Sequence, residues 1–419
     1  MKSRLLAASL VTALPLTVLA QTQQIKPPIA VYWMSVETAG GMGMEMPSGM
    51  GGFMPPGMQG GKRMKLDLGS SQQASGEPRA AHAIPPGLSM APSLPLLTPP
   101  IERAPVRERE REDEPEFERP KGRMLIYWGC GEAVRAGQPV IIDFANLGSQ
   151  DAARAFRSRA ISRQRGPAPG RNRTYGTWPN QEDTHAVPAA GSLQGDHTIA
   201  GNYSPQIRFS VGERHDFMQA VTFDPVRKTP RGAYAVKWSP VSTATGYFAT
   251  AMGQGDNQND MVMWSSSEVQ EMGQMLMDYI APAEVERLIR EKVVMPPQTT
   301  ECSVPAGIFK SDASMFNFIA YGNELNLVHP PRPKDPKQVW EQEWAVKLRL
   351  KSTAMTMLAE GEGGARRGRS SSSRRSQEPG VQSAPQADSP PRQAERPQEP
   401  TPADAVQEGV KVLRGIFGR

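Results

Sequence analysis

The sequence predicts a mainly β protein with some helix: a sandwich-like β core interrupted by long irregular and disordered segments. Three observations lead there. Short runs rich in β-branched and aromatic residues recur from residue 29 to residue 351, several with alternating polarity. Hydrophobic residues make up 38% of the 419, against 39 glycines and 40 prolines, so much of the chain must turn or run irregularly. Helical periodicity is confined to residues 267–293 and the extreme C-terminus.

Residues 1–20 read as a signal peptide. Lys2 and Arg4 precede an uncharged apolar run, broken at Pro15, and Val18-Leu19-Ala20 supplies small residues before a cleavage point at Gln21. The run is shorter than the roughly 20 residues a membrane helix needs, and no later segment is apolar enough to span. The mature chain is therefore expected in the periplasm or secreted. A net charge of +5, reduced when Lys2 and Arg4 leave, is too small to imply nucleic acid.

Residues 21–101 form an N-terminal region of strands and Met/Gly/Pro-rich chain. Ile29, Val31, Tyr32 and Trp33 mark a strand over 28–37, and Met64, Leu66 and Leu68 alternate as a second. The Gly/Met/Pro tract between them, residues 40–61, cannot hold regular structure. The Pro-rich 69–100 suits an extended, docked segment. Residues 102–120 interleave Arg and Glu as a charged linker.

Residues 121–355 contain the main core. Strands are expected over 124–128 and 139–144, and Tyr127-Trp128 with Glu132 echoes Tyr32-Trp33 with Glu37, so two similar strand-loop-strand units are drawn. The Arg-rich stretch 151–204 (Arg154, Arg157, Arg159, Arg163, Arg165, Arg171, Arg173) is expected to be a mobile surface insertion. Further strands are expected over 207–211, 217–223, 234–238, 247–252 and 260–264. Two helices should occupy 267–293. The first is capped at Ser267 and aligned by Met272, Met275, Leu276 and Tyr279; the second opens at Pro282 and buries Val285, Leu288 and Ile289. Apolar strand-like pieces follow at 302–305 and 313–321. Over 340–351, Trp344, Val346, Leu348 and Leu350 face inward while Lys347, Arg349 and Lys351 face water, as in an antiparallel strand. Residues 360–405 cannot bury enough apolar surface to order themselves. In 406–419 an amphipathic tip gathers Val406, Val410, Leu413, Ile416 and Phe417, a docking element for a partner or a membrane surface.

Residues 231–265 resemble the second-to-third strand region of fibronectin type III and other Ig-like sandwich domains. Trp238 and Tyr247 match a Trp on one strand and a Tyr on the next, with Ala244-Thr245-Gly246 as the turn. The resemblance implies an Ig/fibronectin-III-like β-sandwich and no function. The other strands lack the regular seven-strand spacing.

Several features could carry chemistry. Met42, Met44, Met46, Met50, Met54 and Met58 are soft thioether ligands suited to Cu(I) in an oxidising compartment; the plainer reading is a flexible apolar loop filling gaps. Cys130 lies between glycines and could be a nucleophile if a histidine activated it, but a structural role is preferred. Cys130 and Cys302 are either one disulfide or two buried thiols. The five histidines show no zinc spacing, and Asp256, Asn257, Asn259 and Asp260 read as a hairpin turn rather than a calcium loop. The arginine cluster could meet lipopolysaccharide or peptidoglycan, although a solvated loop is the simpler reading. The leading expectation is an exported cell-envelope binding or structural protein, without catalytic activity or cofactor, whose partner is an envelope protein or surface. The alternatives are a periplasmic copper-handling protein and a thiol-dependent enzyme using Cys130.

Overall fold

The alternation written in the chain becomes strand register in the computed structural model, which describes residues 23–41, 60–100, 122–144, 161–162, 164–310 and 314–359. In chain order β1 (Ile25–Lys26) leads to the pair β2 (Ala30–Ala39) and β3 (Gly61–Ser70), then β4 (Ala80–Ala83) and β5 (Ser93–Leu96). A second pair, β6 (Arg123–Trp128) and β7 (Val140–Asp143), precedes β8 (Thr174–Trp178), β9 (Gly195–Gly201) and β10 (Ser204–Val211). After β11 (Arg227–Lys228) and β12 (Tyr234–Lys237) come the hairpin β13 (Gly246–Gln254) and β14 (Asp260–Ser265), helix α1 (Pro282–Arg290) and β15 (Glu301–Val304). The long β16 (Ser314–His329), β17 (Trp340–Glu341) and β18 (Trp344–Leu358) complete the described chain.

Among the described residues the largest sheet has nine strands in the order β7-β6-β14-β13-β16-β18-β2-β3-β8. It contains two halves of matching topology. In β3-β2-β18-β16 two antiparallel pairs meet at a parallel junction of β2 with β18. In β7-β6-β14-β13 the parallel junction is β6 with β14. The halves join antiparallel through β13 and β16, so each strand of one half runs opposite to its counterpart.

One face of this sheet is covered by a four-stranded sheet, β10-β9-β4-β5, and a three-stranded sheet, β11-β12-β15. Tyr32, Met34, Leu66, Val346, Leu348 and Phe318 meet Ile199, Ile207, Val236 and Val304 in one apolar cluster. Each large apolar side chain fully buried there contributes about 1.5–3 kcal/mol. Trp238, just beyond β12, meets Tyr247 of β13 edge-on at 5.7 Å, and the Tyr247 hydroxyl accepts the Val241 N–H at 3.0 Å. That pair spans from the three-stranded sheet to the large one, as a two-layer β architecture requires.

The opposite face of the large sheet is covered unevenly. At its centre α1 buries Val285 and Leu288 against Phe248, Ile319 and Tyr321. Pro282 starts α1 with its φ already helical, and Arg287 pairs with Glu284 and Glu291, each at 2.6 Å. Among the described residues no helix is long and apolar enough to cross a membrane.

Several local expectations are corrected. Residues 267–279 form no α-helix; there is a short 3-10 turn at Gln274–Leu276. Gly273 sits at φ +78°, and a Cβ there would lie 2.4 Å from the Phe248 ring, so helical backbone cannot pass. Ser267 Oγ accepts the N–H of Val269, closing a local turn instead of a capping box. The stretch 151–204 contributes β8 and β9 to sheets and buries Trp178 and Leu193, so its described part is not a mobile insertion. Residues 217–223 form no strand beyond one bridge, Phe223 to Trp238. The late strand β18 is antiparallel to β16 but parallel to β2.

Candidate functional site: a basic groove on the large sheet

Because strand side chains alternate, burying Val346, Leu348 and Leu350 sends Lys347, Arg349 and Lys351 to the other face. The register extends these three cations across two more strands. Lys347, Trp33 and Asp67 form one row, Arg349, Ser35 and Lys65 the next, and Lys351, Glu37 and Arg63 the third. Four of the cations have carboxylates. Lys347 meets Glu324 at 2.7 Å, Lys65 meets Asp67 at 2.8 Å, and Arg63 meets Glu37 at 3.8 Å. Lys351 lies 3.5 Å from Asp278 and 3.9 Å from Glu37.

Arg349 is different. Among the described residues no carboxylate lies within ion-pair distance of it. Its Nε donates to Ser35 Oγ at 2.8 Å, and its guanidinium carbon lies 4.8 Å from the Trp33 ring centre and 4.3 Å from that of Tyr279. Two such contacts, about 0.5–2 kcal/mol each, offset much of the cost of holding the cation away from bulk water. The Trp33 ring is fixed from outside. The backbone of Gly166 lies so close to Trp33 that a Cβ there would stand 2.6 Å from the indole, so only glycine fits. Burial first, then the Glu37 carboxylate, pushes the Tyr279 phenol far above its usual range, so it stays protonated and can donate.

Arg349, Ser35 and Tyr279 border a cavity of about 920 Å³. Ser35, Glu37, Arg63, Lys65, Tyr279 and Arg349 line one side; Trp178, Pro179 and residues 184–187 line the other. Gly60 and Gly61 line it where the connection from β2 enters β3. The arrangement offers hydrogen-bond donors and positive charge, with no nucleophile beside an activating base among the described contacts.

On the inner face of the same half lies a buried polar chain. Tyr32, His82 and His197 are each at most 1% exposed. The His197 Nε2 lies 2.7 Å from the Leu193 carbonyl, which can only accept, so that nitrogen carries the proton. The His197 Nδ1 then accepts from His82 Nε2 at 2.9 Å, and His82 Nδ1 accepts from the Tyr32 hydroxyl at 2.8 Å. Every proton is directed one way, and both imidazoles are neutral. Burial, and for His82 also the neighbouring His197, holds both below the usual histidine range.

The residues singled out in the sequence are scattered relative to this groove. Met42, Met44, Met46, Met50, Met54 and Met58 lie outside the described residues, as do Val406, Val410, Leu413, Ile416 and Phe417. Cys130, in the turn after β6, is bonded to Cys302 of β15, with Cα atoms 5.1 Å apart; neither is a free thiol. The bond ties the large sheet to the three-stranded one. Asp260 binds Arg123 and Asn257 at the β13–β14 hairpin. His185 meets Asp183 at 2.6 Å and His329 stacks on Trp344, so neither joins a shared centre. Among the described residues no three His, Cys, Asp or Glu side chains converge as a metal site. Of the arginine cluster, Arg171 donates to the Gly166 carbonyl and Arg173 to Gln73.

Sequence reasoning passed over Arg349, Trp33 and Tyr279 as a site. The cationic alternation of β18 was visible, but it reads as a solvated face until Tyr279 and residue 166 are known to cover it. Compared with protein families, with characterised proteins and with solved structures, the chain matches none.

Proposed function

We propose that this chain is an exported, non-catalytic binding protein of the cell envelope, and that the groove around Arg349 is where it holds its ligand. The supporting observation is charge accounting on the outward face of β18, β2 and β3: the neighbouring cations there are matched by carboxylates, whereas Arg349 is held in place by two rings and a hydroxyl with its charge unmatched; Lys62, also at the cavity, is turned to the Gly191 carbonyl and the Phe217 ring. A buried or half-buried cation kept without an anion is a feature of binding sites rather than of scaffolding. Export rests on residues 1–20, and the fibronectin-III-like reading of 231–265 describes scaffold only. Residues 406–419, at the end of the low-complexity tether, would add a docking contact with the envelope partner.

Site-specific photo-crosslinking in cells tests the reading. A crosslinker at Lys65 or Thr184, on the rim, should give adducts that one at Arg208, exposed on the far edge strand, does not. Equal labelling at all three positions, or none at the rim, rejects it. Crosslinking with and without residues 403–419 separates the tail from the groove.

A further inference from the structure

Resting on that binding role, we infer that the ligand presents a single carboxylate, received end-on by the guanidinium of Arg349. Three observations converge on this chemistry. The first is charge. On the outward face of β18, β2 and β3, Lys347, Lys351, Lys65 and Arg63 are matched by Glu324, Asp278, Asp67 and Glu37, and among the described residues of that face Arg349 is left over. Lys62, which also lines the cavity without a carboxylate, is taken up by the Gly191 carbonyl at 2.7 Å and the Phe217 ring. The cation that remains available on that face calls for a monoanion. Glu37 and Asp278 line the same cavity, and a dianionic phosphate would be repelled by both.

The second observation is the shape of the donor. Arg349 uses Nε on Ser35 and is flanked by the rings of Trp33 and Tyr279. Its two terminal nitrogens have no acceptor among the described residues. They form the fork that a planar carboxylate meets with two parallel charge-assisted hydrogen bonds, a match lysine cannot provide. The third is Tyr279, which lines the cavity and whose hydroxyl has no partner among the described residues; held protonated, it supplies one more donor. A cavity of about 920 Å³ accommodates the body of a small organic acid beyond its carboxylate.

The test is calorimetric titration of the full mature chain with five probes: D-glucuronate, N-acetylalanine, the methyl ester of each acid, and inorganic phosphate. One of the acids should bind, its ester should bind at least about ten-fold more weakly, and phosphate should not compete. Glucuronate without N-acetylalanine marks a sugar acid as the source of the carboxylate; the reverse marks a peptide end. Arg349→Gln should lower affinity about ten-fold or more, and Arg349→Lys should restore little of it. Tyr279→Phe should cost a smaller factor without changing the preference for acid over ester. The acid–ester comparison on the unaltered chain holds even if a variant fails to fold. Equal affinity for acid and ester, tighter binding of phosphate, unchanged affinity in a folded Arg349→Gln, or no binding of either acid overturns the inference. If rim crosslinks persist while both acids fail, the binding role stands and the carboxylate is wrong; if both fail, the binding role falls as well.

Discussion

The two halves of the nine-stranded sheet share one topology and differ in what they do with one face. In β7-β6-β14-β13 that face holds Met124, Ile126, Ile142 and Met263 packed with Met272. In β3-β2-β18-β16 it holds the rows of Lys347, Arg349 and Lys351 against Trp33, Ser35, Glu37, Arg63, Lys65 and Asp67. The backbone frame is the same, and so is the inner face, where Tyr32 and Tyr127 both point into the main core. A sheet pairs its backbone whatever its outer side chains are, so one half can be closed with thioethers and isoleucines while the other carries rows of charged side chains. The faint Tyr-Trp echo of the sequence thus falls on strands in equivalent places.

Breaking each half in turn should give effects of very different size. Cys130 and Cys302 tie the apolar half to the three-stranded sheet across 172 residues of sequence. Replacing both with serine should cost about 4–5 kcal/mol by chain entropy, read as a lowered urea midpoint and a fall in Tm. Ile126→Ala, in the apolar half, should cost about 2–4 kcal/mol, because the close-packed cluster collapses only partly around the lost atoms.

The histidine chain beneath the groove half makes a pH prediction. Both imidazoles are neutral when folded, with depressed affinity for protons, whereas the unfolded chain takes them up near pH 6.5. Their contribution is fully present above about pH 6.5 and is lost as pH falls, by up to about 1.4 kcal/mol per pH unit for each histidine. Urea unfolding at several pH values between 5 and 7.5 should show the slope, and His82→Gln should reduce it. Smallest of all, Lys65→Ala on the groove face should cost about 1 kcal/mol or less, since the Lys65 ammonium stands largely in solvent and the buried Asp67 carboxylate keeps the Tyr175 and Thr177 hydroxyls as donors. A large loss there would mean that the charged face is structural, and the contrast between the halves would fail.

Much of the strand set was legible because alternation is a local property: β2, β3, β6, β7, β10, β12, β13, β14 and β18 all lie where runs of β-branched and aromatic residues stand. Helix α1 was legible from Pro282 and the spacing of Val285 and Leu288. The failures were non-local. Met272 to Tyr279 has helical spacing, but the ring of Phe248 occupies the space at Gly273. Trp178 looked like part of a polar loop, yet its strand pairs with β3, more than a hundred residues earlier in the chain. His82 and His197 are 115 positions apart and carry no spacing signal.

By itself the chain determined where strands form and which face of each is apolar, because a two-residue period needs only the residues within the strand. Only the tertiary structure decided that the four-stranded unit would be repeated in reverse across β13 and β16, that Cys130 would reach Cys302, and that an outward arginine would stand between Trp33 and Tyr279. Those outcomes depend on partners brought together by burial across hundreds of positions, and no local pattern encodes which ring will cover which cation.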